Sequence, residues 1–358
     1  MEHMEERPVR VDETESARSA VAHMKLGWNL GNTFDCHGRW FENFRIETSW
    51  GNPITSKELI SLVAGSGFDA IRVPVTWYPH MDEKGVIEED WLRRVRRVVR
   101  MTLGEGMYCI INCHHDTGDM RSYGGGWIRA DRENYMTNRD RAAYMWEQIA
   151  EYFANESDKL ILEGFNEILN EDCEWDMPSA EEIEVVNEWN QLFVDTVRAT
   201  GGSNATRNLI VSPYAAGAND YTLRGFQVPK DSAEGHLIAG VHSYAPLGFT
   251  SRAATWARQT IEFDCLCEEE LERLFDTIDR GFEGTDIPVV LSEFGAMDRN
   301  NTPERAKYVS LVVSLARMRG IPCFYWDDGT KYEVLSRGDA SVRHPEIVRA
   351  MTRAAGIL

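Results

Sequence analysis

The stretch LILEGFNE, residues 160–167, decides the architecture. It opens on residues that are apolar on both faces, which suits a parallel strand covered by helices better than a half-solvated antiparallel one. It closes on two polar residues, Asn166 and Glu167, where the apolar character stops. Working outwards, the same signature recurs. Towards the N-terminus it reads KLGWNLG at 25–31, FDAIRVPV at 68–75 and MYCIINC at 107–113. Towards the C-terminus it reads NLIVS at 208–212, HLIAGVHSY at 236–244, IPVVLSEF at 287–294 and IPCFYW at 321–326.

Helical patterns fill the intervals. Thr55 followed by Glu58 reads as a capping box for a helix running to about 64. In 90–103, Trp91, Val95, Val98 and Val99 share one face, and Arg93, Arg94, Arg97 and Arg100 make a solvated one. Residues 138–153, 180–199, 268–280, 303–319 and 345–353 read as further helices, and Gly320 stops one of them. Eight strands alternating with helices, with no linker between, predict one (β/α)₈ barrel over residues 21–358, preceded by a polar extension at 1–20. A doubly wound sheet is the competing α/β design, but no dinucleotide fingerprint follows a strand, and Gly124-Gly125-Gly126 reads as a loop. The stretches 112–137, 167–180 and 244–267 become long loops at the barrel face that carries chemistry.

Composition excludes some partners. The 358 residues hold 38 Lys plus Arg against 58 Asp plus Glu, a net charge of −20 that argues against nucleic acid and anionic membranes. No run of 18 apolar residues offers a spanning segment. The polar, acidic N-terminus is not a signal peptide. Secretion through a leader already removed is expected, with a cytoplasmic chain as the alternative. The seven cysteines suggest no disulfide framework at this size, and Cys265-Leu-Cys267 is too tight for zinc-ligand spacing. Eleven Trp is a high count, and some are expected as platforms for a flat apolar ligand.

Most candidate strands end in polar residues, which in a barrel points to a site at one mouth. Arg72 lies on the second strand, and His114-His115-Asp116 follow the third. Asn166-Glu167 follow the fourth, His242 and Tyr244 the sixth, Ser292-Glu293 the seventh, and Trp326-Asp327-Asp328 the eighth. Glu167 and Glu293 come from roughly opposite sides and can face each other across the mouth. Cleaving a glycosidic bond needs such a pair, one carboxyl to donate a proton and one carboxylate to attack or to activate water. A metal-dependent hydrolase is the competing chemistry, with His114, His115, Asp116 and His242 as ligands. It requires the strand to end before His114, because neighbouring side chains on a strand point oppositely.

At these residues the chain closely resembles the family 5 glycoside hydrolases, in particular their endoglucanase branch. The matching segments are GWNLGNTFD (27–35), GNPITSKELI (51–60), IRVPVTW (71–77), HHD (114–116), GGWIRAD (125–131), LILEGFNE (160–167), HSYAP (242–246), LSEFGA (291–296) and FYWDDG (324–329). The resemblance implies a retaining two-step hydrolysis of β-1,4-glucan. Glu167 then matches the acid/base and Glu293 the nucleophile, with Asn166 holding the sugar 2-hydroxyl. Arg72 matches the arginine that ionises the nucleophile, His114 lines the central subsite, and His242 and Tyr244 flank the two glutamates. Trp326 matches the sugar platform, and Asn29, His115 and Asp328 fall among the sugar-binding positions. Trp127, Trp175 and Tyr123 are candidate outer platforms. No metal or organic cofactor is implied, and no carbohydrate-binding module accompanies the barrel.

Three positions depart from the family pattern. Ile168 stands where the family often has Pro, Asp328 where it often has Asn, and the 117–126 loop is long. A charge at 328 in place of an amide is expected to alter sugar contacts. The substrate order that follows is mixed-linkage glucan or soluble cellulose, then xyloglucan, then xylan or mannan. A non-catalytic carbohydrate-binding barrel is the alternative of a different class.

Overall fold

The computed structural model describes residues 14–37, 47–118, 126–252 and 256–358. Its barrel strands are β1 (Leu26–Leu30), β2 (Ala70–Val73), β3 (Tyr108–Asn112), β4 (Leu160–Glu163), β5 (Leu209–Val211), β6 (Leu237–His242), β7 (Val289–Phe294) and β8 (Cys323–Asp327). These eight pair in parallel and in chain order, and a short antiparallel pair, Leu335–Ser336 with Ser341–Val342, lies outside the barrel. The barrel closes where β1 meets β8, with Leu26 opposite Cys323 and Leu30 opposite Asp327. A helix follows each strand, running over Lys57–Gly65, Glu89–Gly104, Arg132–Phe153, Ala180–Ala199, Asp220–Arg224, Cys265–Phe282, Thr302–Met318 and Pro345–Ala354.

The two faces of the strands carry different cores, as the period of two requires. Leu26, Trp28 and Leu30 of β1 pack outwards into the large strand–helix layer. Ala70, Tyr108, Ile110, Ile161, Ile210, Ile238, Val290 and Phe324 form a separate inner cluster with Ala17, Ala20, Val21 and Met24. The helix Ala17–His23 therefore closes the lower end of the barrel, its start tied by Ala17 N–H to the Gly235 carbonyl at 2.8 Å. Ala17 and Ala20, read from the sequence with the polar extension, instead belong to this apolar plug.

Gly27 shows how tightly that interior is filled. A Cβ there would lie 2.0 Å from Phe324 Cδ1, so the ring occupies the space a side chain would need. Gly27→Ala is expected to cost about 2–3 kcal/mol by overpacking, read as a lower midpoint in chemical denaturation with an unchanged slope.

Three local readings move. The helix start falls at Ser56, whose side chain accepts from Leu59 N–H, because Thr55 is held by Glu47 and by Arg94 instead. The helix expected from 138 begins at Arg132, which shortens the loop after β3. The arginine face of Glu89–Gly104 is only partly solvated, since Arg94 pairs with Glu47 at 2.7 Å and Arg96 with Glu156 at 2.5 Å. All seven cysteines are free thiols. Among the described residues no helix is long and apolar enough to cross a membrane.

Candidate active site

Above the apolar plug the inner face turns polar, and Arg72 is its hub. The side chain is fully buried, and every guanidinium nitrogen is engaged. Nε donates to Glu163 Oε2 at 2.5 Å, and Nη2 donates to Oε1 of the same carboxylate at 3.0 Å. Nη2 also donates to Asn166 Oδ1 at 2.8 Å, and Nη1 donates to Asn29 Oδ1 at 3.0 Å and to Glu293 Oε1 at 2.7 Å. Burial alone would lower the arginine's pKa, but the charges of Glu163 and Glu293 outweigh it and raise it. Arg72 is a permanent cation.

Glu293 is presented by β7 and is buried. Its second oxygen, Oε2, accepts from the Tyr244 hydroxyl at 2.8 Å. Burial, reinforced by the Glu293 charge, pushes the Tyr244 phenol well above its usual range, so it stays a proton donor. Both Glu293 oxygens are thus held by hydrogen-bond donors, one of them a permanent cation.

Glu167 follows β4 and meets His242, from the end of β6, with its Oε1 2.8 Å from Nδ1. Burial raises the Glu167 pKa, against the opposing pull of His242. Burial would lower His242, but the charge of Glu293 and the bond to Glu167 raise it overall. Both directions describe one fact about the pair: it keeps a shared proton to higher pH than either group alone. One oxygen of Glu167, one of Glu293 and one nitrogen of His242 all lie within 4.8 Å of one another.

One wall of the mouth comes from β3 and β8. Asn112 Oδ1 accepts from Val75 N–H at 3.0 Å, which turns its amide nitrogen towards His114 Nδ1 at 3.1 Å. His114 is kept neutral by burial, with the cationic neighbours adding to the effect, so its proton must sit on Nε2 and point a donor away from Asn112. Its ring stacks nearly parallel to Trp326, with centroids 5.8 Å apart. Trp326 lies over Gly31, where a Cβ would approach the indole to 2.7 Å. Beside them His115, also kept neutral by burial, packs against His37 and Trp50 with centroids 4.4 and 5.7 Å away.

Three expected sugar contacts are placed elsewhere. Asn29 is fully buried, its amide nitrogen donating to the Ser292 carbonyl at 3.0 Å and the Phe324 carbonyl at 3.2 Å; it steadies Arg72 from below the floor. Trp127 donates from Nε1 to Asp116 at 2.7 Å and carries the Arg141 guanidinium 4.7 Å over its ring, so it is loop packing. Asp328 turns into its own loop, where Oδ1 accepts from the backbone of Thr330 at 2.8 Å and of Tyr332 at 2.9 Å. Its Oδ2 accepts from the Thr330 hydroxyl at 2.8 Å, so the extra charge is satisfied internally. Trp175 is 42% exposed in the loop after β4, open for a ligand to stack on. Tyr123, like most of the 117–126 loop, lies outside the described residues.

Glu163 and Asn112 were not legible as site residues. The only signal for either was a polar residue inside an apolar run.

The donor chemistry does not fit the metal reading. β3 ends at Asn112, so His114 and His115 do both reach the mouth. The hydrogen-bond chain through Asn112, however, leaves His114 Nε2 protonated, a donor rather than a ligand. Asp116 is consumed by Trp77 N–H at 2.7 Å and Tyr78 N–H at 2.8 Å. Around Glu167, His242 and Glu293, both Glu293 oxygens already accept a hydrogen bond, from Arg72 and from Tyr244.

Comparison with known proteins gives a consistent picture. The family model described as cellulase, glycosyl hydrolase family 5, matches residues 34–331. Endoglucanase A of Ruminococcus albus is 37% identical over 321 residues, covering 88% of this chain and 84% of that protein. A Prevotella bryantii B14 family 5 enzyme, solved as a mutant with a xyloglucan tetradecasaccharide, superposes with a TM-score of 0.87 at 35% identity, covering 96% of this chain and 99% of that one. A lichenase mutant from Caldicellulosiruptor sp. F32, solved with cellotetraose, gives a TM-score of 0.87 at 33% identity and covers 99% of each chain.

Proposed function

Since this chain belongs to glycosyl hydrolase family 5, the cellulases, we propose that it is a retaining endo-β-1,4-glucanase acting on mixed-linkage β-glucan or soluble cellulose. The observation that carries this reading is the approach of Glu167 and Glu293 oxygens to within 4.8 Å, each in a different electrostatic setting. Nearest oxygens that close agree with a retaining pair, whose carboxyls stand about 5–5.5 Å apart, rather than with an inverting pair at about 6.5–9.5 Å.

Each carboxyl has a role suited to its surroundings. Glu293, held between Arg72 and Tyr244, attacks the anomeric carbon and forms a glycosyl ester as the glycosidic bond to the leaving oxygen breaks. Glu167, in its proton-sharing pair with His242, protonates the departing glycosidic oxygen and then takes a proton from the incoming water. Asn166 has its oxygen fixed by Arg72, which leaves the amide nitrogen to donate to the 2-hydroxyl of the sugar being cleaved. Trp326 and His114 supply the stacked wall for that sugar. The polymer is too large to cross a membrane, so the site of action is extracellular.

The test is reducing-sugar release from barley β-glucan, carboxymethyl cellulose, xyloglucan, xylan and mannan. Mannan presents its 2-hydroxyl axially and misplaces the Asn166 contact, so the β-glucan rate should exceed it by at least about tenfold, the worth of ~1.4 kcal/mol. A dominant mannan rate would overturn the assignment. The xyloglucan arm tests the second reading, which the bound oligosaccharide of the P. bryantii relative favours.

A further inference from the structure

Glu163 is a carboxylate where the barrel interior would ordinarily hold a branched aliphatic side chain. Two residues earlier on the same strand, Ile161 belongs to the apolar inner cluster. Glu163 pairs in register with Asn112 of β3 and Ile210 of β5, and no part of it reaches solvent. A carboxylate buried to that degree is costly unless a cation accompanies it. Its cation is Arg72, which it grips by two parallel bonds of 2.5 and 3.0 Å.

We infer that Glu163 is a positioning residue for the nucleophile, setting both the plane of the Arg72 guanidinium and the share of its charge that Glu293 receives. The two bonds to Nε and Nη2 occupy one edge of the fork. They leave Nη1 aimed at Glu293, 2.7 Å away, as a single-bond contact rather than a second two-bond grip. One positive charge thus lies between two carboxylates. Without the Glu163 grip the guanidinium would be free to turn and take Glu293 in a two-bond contact, drawing that carboxylate away from the attacking position. The other charged or titratable groups facing Glu293 are Glu167 from β4, and His242 and Tyr244 from β6. None of these touches Glu163, so the two effects are separable.

The inference rests on the proposed retaining reaction and is tested with the full chain. The readout is kcat/KM on an aryl β-cellobioside with a good leaving group, which isolates attack by the nucleophile, set beside the Kd for cellotetraose. Glu163→Gln should lower kcat/KM by about 10–100-fold, the scale of a slightly misplaced catalytic group. Its Kd for cellotetraose should stay within a few-fold of wild type, because the guanidinium plane bears on attack and not on ground-state binding. Glu163→Asp keeps the charge but withdraws the grip; it should likewise lose at least about tenfold in kcat/KM with binding retained. A kcat/KM within a few-fold of wild type in Glu163→Gln overturns the inference, and so does a loss of binding as large as the loss of rate, because a purely structural role damages both together. If Glu163→Gln gives no cooperative melt, Glu163→Asp decides by the same split: lost rate with retained binding supports the role, and rate and binding lost together overturn it. Wild type that releases no sugar would instead overturn the proposed function.

Discussion

Glu293→Gln should abolish β-glucan hydrolysis, lowering kcat by about 10⁴-fold or more, on the scale of losing a covalent nucleophile elsewhere. Binding should survive. The amide is nearly isosteric with the carboxylate, and Arg72 keeps its two-bond pairing with Glu163, so no buried cation is stranded. Titration calorimetry with cellotetraose should therefore give a Kd within a few-fold of wild type, since only a transition-state interaction has gone. Turnover that persists in Glu293→Gln would move the nucleophile elsewhere. A wild type that binds the oligosaccharide and never cleaves it would make this a carbohydrate-binding barrel.

Glu167→Ala should show a loss that depends on the leaving group. Polymeric glucan needs its departing oxygen protonated, so its rate should fall by about 10²–10⁴-fold, the usual contribution of general acid catalysis. An aryl cellobioside with a good leaving group should still form the glycosyl ester, which then accumulates as a burst because no base activates water. Azide needs no base. It should restore turnover and give a β-configured glycosyl azide, entering the face that Glu167 vacated; an α-azide would mean inversion and sink the retaining assignment. The pH profile should change too. In wild type the active form is protonated, and the Glu167–His242 pair has its proton affinity raised, so activity falls as pH rises through the loss of that proton. That basic limb should be absent from Glu167→Ala on the activated substrate.

The fold was legible because its signals are local. Apolar runs of strand length, separated by helical periodicities, require only neighbouring residues to be read; seven of the eight barrel strands fall within the runs that announced them, and β8 runs one residue further, to Asp327. The two glutamates were legible for a related reason. A charged residue directly after an apolar strand has few uses other than chemistry, and topology alone puts Glu167 and Glu293 at one mouth. Asn29, Trp127 and Asp328 occupy similarly suggestive positions, yet the structure gives each a partner that draws it from the sugar. Those partners are Arg72 for Asn29, Asp116 and Arg141 for Trp127, and the 330–332 backbone for Asp328.

By itself, the sequence determined the barrel and the mouth at which its strand-end polar residues gather, Glu167 and Glu293 among them, since periodicity and strand ends are properties of adjacent residues. Only the tertiary structure decided how the pair is tuned. Arg72 reaches Glu163 across 91 positions of chain and Glu293 across 221, and His242 reaches Glu167 across 75. Charge sharing and proton sharing depend on distances of a few ångströms between groups that are remote in sequence. Those distances exist only once the barrel has closed. The high Trp count divides the same way: composition announced aromatic surface, and packing decided that Trp326 faces the site while Trp127 closes a loop.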